Sequence, residues 1–168
     1  MIMCATFVAI SALLAQVVVP IGAVPINFAL IGVLVASGVL DTKGAVITQA
    51  VYIALGIVGV PVFAGFLAGV GVLLGPTGGF IVGYVFTALI TSILIKHIKP
   101  IPAMLVGLLL CYALGCAWFA ISQKVTALSA FYVTVLPFII PDVIKIIISH
   151  FIIAKIKKAL GTDSLSKG

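Results

Sequence analysis

The residues of this sequence best suited to chemistry are Asp142 and Lys145, a carboxylate and an ammonium in an otherwise apolar segment. They are three positions apart, and residues at that spacing share one face of a helix. A charge inside a membrane helix costs about 2.5–3.5 kcal/mol, so such residues usually face the protein interior and serve function. We therefore predict that the pair contacts a ligand.

An ion pair that only stabilises the helix is the alternative interpretation. Asp142 follows Pro141 at the start of a predicted helix, where the helix dipole favours a carboxylate. The dipole gives no such reason for a lysine at position 145. We favour the ligand role, with helix stabilisation as a contribution in either case.

Further polar candidates lie on other segments. Gln49 and Tyr52 share a helix face at a spacing of three, and Asn27 stands near the start of another apolar segment. Single amides in membrane helices often form hydrogen bonds to a neighbouring helix. For each amide taken alone, that role is an equal alternative to ligand contact.

A glycine-rich loop supplies a different kind of binding group. Gly75, Thr77 and Gly78 lie in the run Gly-Pro-Thr-Gly-Gly, whose backbone N–H groups can bind an anion. No Gly-Lys-Ser/Thr follows, so the run is not a P-loop. The sequence has no Ser/His/Asp set, no HExxH motif and no cysteine or histidine spacing typical of a metal site. We expect no bound metal, no cofactor and no enzymatic activity.

The elements that position these residues are predicted to be membrane helices. Of 168 residues, 64% are hydrophobic and 7% are charged, and the mean hydropathy is +1.49. So few polar residues cannot cover a soluble domain, and the apolar excess must face lipid. Long apolar runs favour helices, because a helix satisfies its own backbone hydrogen bonds in lipid. The predicted fold is all-α, a polytopic membrane protein with a six-transmembrane-helix bundle.

A single transmembrane domain over residues 1–168 is expected. Each crossing needs about 20 residues, so about six crossings use the whole length and leave no room for a soluble ATPase domain. The predicted helices span about 2–19, 27–39, 44–58, 80–95, 101–121 and 141–160.

The lysines orient this bundle. With six helices both termini share a side, and seven of the nine lysines fall on it: Lys43, Lys96, Lys99, Lys155, Lys157, Lys158 and Lys167. The opposite side has only Lys124, and Lys145 lies within a helix. Positive residues mark the cytoplasmic side, so we expect a multi-pass plasma-membrane protein with both termini in the cytoplasm. The lysines are scattered along the chain and arginine is absent, which argues against binding to nucleic acid.

The glycine- and proline-rich loops fall on the outer side. They are Pro20–Pro25, Gly59–Gly79 and Pro137–Pro141. Irregular backbone at membrane depth is tolerated where it is buried in protein or lines a cavity. We therefore predict an outward-facing ligand cavity capped by Gly59–Gly79, in preference to loops that merely connect helices.

Several of these segments together resemble the BioY family, the substrate-binding (S) components of energy-coupling-factor (ECF) biotin transporters. The resemblance covers nearly the whole chain. It rests on Val-Pro-Ile-Asn ending at Asn27, Pro-Val-Phe-Ala-Gly ending at Gly65, Gly-Pro-Thr-Gly-Gly-Phe ending at Phe80 and Pro-Asp-x-x-Lys ending at Lys145. Two segments depart from the pattern frequent in the family: Asn-Phe-Ala at 27–29 in place of Thr-Leu-Gln, and Phe-Leu-Ala-Gly at 66–69 in place of a glycine-rich stretch.

The resemblance implies a biotin-binding subunit that captures biotin outside and is not an enzyme. It also implies a transmembrane coupling protein and two cytoplasmic ATPases as partners, in addition to membrane lipid. Small residues on the first helix contact the coupling protein in such subunits, and Ala5 and Ala9 are the candidates here.

The chemistry of biotin matches the residues present. Biotin has a ureido group, an apolar ring and a carboxylate tail. Asp142 can accept ureido N–H bonds, and Lys145 can pair with the carboxylate or donate to the ureido oxygen. The remaining candidates are the walls Tyr52, Phe63 and Phe80 and the amides Gln49 and Asn27.

Two alternatives to biotin capture stay open from the sequence. The same bundle suits an S-component for another vitamin. A non-transporting membrane assembly or scaffold protein, with the Asp142–Lys145 pair as a structural lock, is the alternative from a different class.

Overall fold

Helices make up most of residues 1–20 and 24–161, the part of the chain that the computed structural model describes. In chain order they are α1 (Ile2–Ala15), α2 (Ala29–Val39), α3 (Thr42–Ile57), α4 (Val70–Leu74), α5 (Gly78–Leu94), α6 (Pro100–Gln123), α7 (Ala127–Thr134) and α8 (Ile139–Ala159). Two 3-10 turns, Ala64–Phe66 and Leu136–Phe138, precede α4 and α8.

Helix α2 occupies the centre of the bundle. It contacts α1, α5 and α8, while α3 and α6 pack on either side of α5. Its residues Val33, Leu34 and Ala36 are fully buried. Between α5 and α6, the Thr87 hydroxyl donates to the Gly107 carbonyl at 3.1 Å. Such interhelical bonds stabilise helix pairs in lipid, where the hydrophobic effect does not drive association.

The outer surface of the bundle is apolar. Leu109, Ile121, Ile140 and Phe151 are each more than 60% exposed. Exposed apolar surface of this extent would make a water-soluble protein aggregate, whereas lipid is its natural surrounding. Among the described residues, two helical segments are long and apolar enough to cross a membrane. One is α6 (Pro100–Gln123), and the other is Ala127–Ala159, which comprises α7, the second 3-10 turn and α8. Helices α1, α2, α3 and α5 are apolar but shorter.

The predicted first helix is too long. It ends at Ala15 and not at about residue 19, because Val18–Val19 pairs with Ile26–Asn27 as a short antiparallel ribbon. β-branched valines and the position before Pro20 both disfavour helical backbone. The ribbon also delays the start of α2 from about residue 27 to Ala29.

The bundle has two different ends. At the lysine end, which carries Lys43, Lys96, Lys99 and the lysines at the end of α8, Lys96 Nζ donates to Thr42 Oγ1 at 3.0 Å. The loop end carries the ribbon, α7 and the cover segment, by which we mean residues 58–77 between α3 and α5.

Candidate functional site

A cavity of about 390 Å³ lies between the helices at the loop end. Residues of α2, α3, α5, α6 and α8 supply its walls, and residues of the cover segment close it. Small-molecule pockets typically enclose about 300–1,000 Å³ and combine apolar walls with a few polar groups. No cluster of side chains that could hold a metal ion occurs in residues 1–20 and 24–161.

Asp142 and Lys145 form one wall of this cavity. Lys145 Nζ donates to Asp142 Oδ1 at 2.6 Å, and both residues are at least 96% buried. The Tyr112 hydroxyl donates to Asp142 Oδ2 at 2.7 Å. Lys145 Nζ also lies 5.6 Å from the centre of the Phe28 ring, within the range of a cation–π interaction. The two buried charges therefore have close partners, which a charge removed from water requires.

The start of α8 places the pair at the cavity. Pro141 stands in the first turn of α8, where its missing backbone N–H would have no partner within the helix. Asp142 is in the same turn, where the helix dipole favours a carboxylate. Lys145 follows about one turn later on the same face.

Aromatic rings form the apolar part of the wall. The Tyr52 hydroxyl donates to the Val62 carbonyl at 2.9 Å, which ties α3 to the cover segment. The Tyr52 and Phe63 rings meet edge to face, with centroids 5.7 Å apart. Phe80 lines the cavity from α5. These contacts hold flat apolar surfaces around a space that suits a ring system.

Two further helices, α1 and α6, hold the cover segment in addition to α3. Gln16, next to the end of α1, accepts a hydrogen bond from the Phe66 N–H at 2.7 Å and donates to the Pro61 carbonyl at 3.4 Å. Trp118 on α6 donates Nε1–H to the Gly75 carbonyl at 2.9 Å. Phe66 has a φ of 59°, a left-handed conformation that bulky residues rarely adopt. The Gln16 bond therefore stabilises a turn that is unfavourable on its own.

Asn27 connects the ribbon, α2 and α5. Its Oδ1 accepts from the Ala29 N–H at 3.0 Å and lies 3.5 Å from the Tyr84 hydroxyl. The oxygen is thereby engaged within the protein. The Asn27 amide N–H groups remain as the donors that this residue can offer to a ligand.

Eight of the ten residues predicted to bind ligand line the cavity: Asn27, Tyr52, Phe63, Gly75, Thr77, Phe80, Asp142 and Lys145. Gln49 and Gly78 lie outside the lining. Gln49 is fully buried, about one turn further from the loop end than Tyr52, and neither of its amide atoms has a hydrogen-bond partner among the described residues. A side chain at Gly78 would overlap the Leu73 carbonyl, so this glycine permits the tight turn into α5.

Apart from Phe80, the sequence interpretation missed the cavity-lining residues of α5 and α6. Tyr84, Leu108, Cys111 and Tyr112 all line the cavity. Two spacings carried a usable signal, since Tyr84 is four residues after Phe80 and Tyr112 is four after Leu108. A tyrosine in the middle of an apolar helix also needs a hydrogen-bond partner when it is buried, which points to a polar site nearby.

Known proteins resemble this chain in sequence and in structure. The sequence model of the BioY family matches residues 1–162. The probable biotin transporter BioY of Pyrococcus horikoshii is 38% identical over 141 residues, which cover 84% of this chain and 85% of that protein. The biotin transporter BioY of Thermotoga maritima is 32% identical over 157 residues, which cover 90% and 92%.

One crystal structure has the same fold, that of the S-component for biotin from an ECF-type ABC transporter. The TM-score is 0.88 at 26% sequence identity, and the match covers 94% of this chain and 89% of the other. This match confirms the predicted fold class, an all-α membrane bundle of the ECF S-component type. The resemblance noted from the motifs is confirmed as well: the chain is a membrane protein that belongs to the BioY family.

Proposed function

We propose that this chain is the biotin-binding S-component of an ECF-type transporter, a subunit that binds biotin and delivers it inward without altering it. The relatives described above are named biotin transporters, and the similar crystal structure is that of an S-component for biotin. The observation that carries the proposal for this chain is the buried Asp142–Lys145 pair on the wall of a cavity of small-molecule size.

The ion pair is suited to the ureido end of biotin. Lys145 Nζ and Asp142 Oδ1 are 2.6 Å apart, so both meet the same end of a ligand. One edge of a cyclic urea presents an N–H beside the carbonyl oxygen, which pairs the N–H with Asp142 and the oxygen with Lys145. A ligand carboxylate at this position would be repelled by Asp142. Hydrogen bonds to charged groups contribute about 1.5–3 kcal/mol each.

The position of the ureido group determines where the ring and the carboxylate tail of biotin lie. The apolar ring lies against Tyr52, Phe63 and Phe80, and the carboxylate tail extends towards Asn27 and Thr77. Thr77 occupies the N-cap position of α5 and makes no side-chain capping bond, so its hydroxyl is available. The positive end of the α5 dipole favours an anion at this place.

Purified protein in detergent is expected to bind one biotin per chain in isothermal titration calorimetry. Excess thiamine, riboflavin or pantothenate should leave biotin binding unchanged. Thiamine and pantothenate have no ring that places an N–H beside a carbonyl oxygen, and the three-ring system of riboflavin is larger than biotin. Displacement by one of these vitamins would indicate an S-component for that vitamin. Binding of none of the four, with retention of a protein partner, would favour a membrane assembly protein.

We propose that ATP hydrolysis on partner proteins drives inward delivery, because the sequence contains no P-loop of its own. The partners proposed are a transmembrane coupling protein and two cytoplasmic ATPases, the remaining subunits of an ECF module. We place the lysine end in the cytoplasm, with both termini on that side of a multi-pass protein, because lysines concentrate at cytoplasmic helix ends.

The coupling protein is proposed to dock on α1. Ala5 and Ala9 are exposed, whereas Phe7, Val8 and Ser11 on the other face of α1 are buried. Small residues four apart allow close approach of another helix in a membrane.

Ala9→Trp is therefore expected to abolish co-purification with the coupling protein and the ATPases, while the isolated variant binds biotin like wild type. Affinity purification of the co-expressed module measures the first effect and calorimetry the second. Leu109→Trp, at a 64% exposed position of α6, is the matched control and should keep the complex. A complete module recovered with Ala9→Trp would remove this face of α1 from the docking surface.

A further inference from the structure

We infer that Tyr112 is a positioning residue of the ligand site, whose hydroxyl fixes the direction in which Asp142 accepts a ligand N–H. The inference rests on the proposed function, because it concerns how the same site recognises the ureido edge.

The two oxygens of Asp142 are held by different donors. Lys145 Nζ bonds to Oδ1 at 2.6 Å, and the Tyr112 hydroxyl bonds to Oδ2 at 2.7 Å. Lys145 is only three residues away on the same helix, whereas Tyr112 approaches from α6. The plane of the carboxylate is therefore set by two helices. An ionised carboxylate has about four acceptor positions, so these two donors leave positions in defined directions for a ligand.

Tyr112 is itself fixed in this arrangement. The outer side of its ring borders a groove between α6 and α7, lined by apolar side chains such as Leu109, Phe131 and Val135. These side chains offer the hydroxyl no hydrogen bond. Rotation towards the groove would leave a polar group unpaired, which is unfavourable. The hydroxyl therefore stays on Asp142.

The ring and the hydroxyl of Tyr112 have separate roles in this arrangement. The ring fills space between the cavity and the groove, and phenylalanine would fill the same space. The hydroxyl acts only through Asp142. Its removal frees the carboxylate to turn about its bond to the helix, so that the acceptor direction no longer matches Lys145 and the ureido edge.

Tyr112→Phe is expected to weaken biotin binding on the order of tenfold, because a misdirected Asp142 loses part of its charged hydrogen bond to the ligand. Equilibrium binding of radiolabelled biotin to purified protein measures the change and keeps weak binding in range. In the Asp142→Ala background the same substitution should have no further effect, because alanine leaves no side-chain group for the Tyr112 hydroxyl to orient. Tyr132→Phe, at a 57% exposed tyrosine of α7, is the matched control and should bind like wild type.

The possible outcomes test the positioning role of Tyr112 separately from the proposed biotin-binding function. Wild-type affinity in Tyr112→Phe would overturn the positioning role and leave biotin binding intact. Equal losses in the wild-type and Asp142→Ala backgrounds would show that Tyr112 acts through packing, which also overturns it. A wild-type protein that binds no biotin would overturn the proposed function itself, and the positioning role with it.

Discussion

Asp142→Asn should weaken biotin binding roughly 10- to 100-fold while the chain stays folded. The carboxylate accepts from Lys145 at 2.6 Å and from Tyr112 at 2.7 Å. Asparagine keeps the shape but has one acceptor oxygen and one NH₂ donor, so Lys145 and the Tyr112 hydroxyl can no longer each donate to an oxygen of their own. Loss of the charged hydrogen bond to the ligand removes about 1.5–3 kcal/mol of binding free energy. Each 1.4 kcal/mol corresponds to about tenfold in affinity.

Calorimetry with purified variants tests this expectation, and size-exclusion chromatography reports folding. Asp41→Asn is the matched control, because Asp41 lies at the lysine end and caps α3 by accepting from the Gly44 N–H at 3.2 Å. Asparagine caps a helix as well as aspartate does, so this variant should fold and bind biotin normally. Wild-type affinity in Asp142→Asn would place the ligand away from the ion pair.

Gly56→Ala should lower biotin affinity about 30-fold without removing any polar contact. A methyl group at Gly56 would overlap the ring of Phe63, which is 1% exposed and lines the cavity beside Tyr52. The ring must then move, and the cavity that Phe63 lines is free space beside it. Overpacking of this kind costs about 1–3 kcal/mol, and about 2 kcal/mol corresponds to a factor of about 30.

The same binding assay distinguishes this steric effect from a general loss of stability. Ala54→Val adds bulk on the exposed side of the same turn of α3 and should leave the affinity unchanged. Replacing Phe63 with leucine in the Gly56→Ala variant removes the overlap and should recover part of the affinity. If Gly56→Ala bound biotin like wild type, the Phe63 ring would not border the bound ligand.

The fold could be predicted for the segments that lie in lipid, because lipid restricts the backbone conformations that are possible there. Long apolar runs must be helical to satisfy their backbone, so composition alone indicates the bundle. The end of α1 was not predictable in this way. Val18–Val19 continues an apolar run, and it leaves the helix because it pairs with Ile26–Asn27, a contact between separate segments. Pairing of this kind does not appear in the periodicity of either segment.

The site residues that could be predicted are those whose charge costs free energy inside a membrane helix. Asp142 and Lys145 were recognisable because buried charges in lipid require partners. Tyr112 and Tyr84 carried a weaker signal in their spacing, since tyrosine is tolerated in many membrane environments and packing decides which helix face turns inward. Gln49 shares a face with Tyr52, but depth along the helix, which spacing does not reveal, keeps it out of the lining.

Helix α1 reaches both ends of the bundle. Its proposed docking face, Ala5 and Ala9, is near the lysine end, and Gln16 at its other end holds Phe66 of the cover segment. The 14 residues of α1 form a rod about 21 Å long, so a tilt imposed at one end displaces the other. If docking on the proposed face tilts α1, then docking and closure of the cavity are linked equilibria, and linkage is reciprocal. Whatever factor the docked partner applies to biotin affinity, bound biotin must apply to the affinity for that partner.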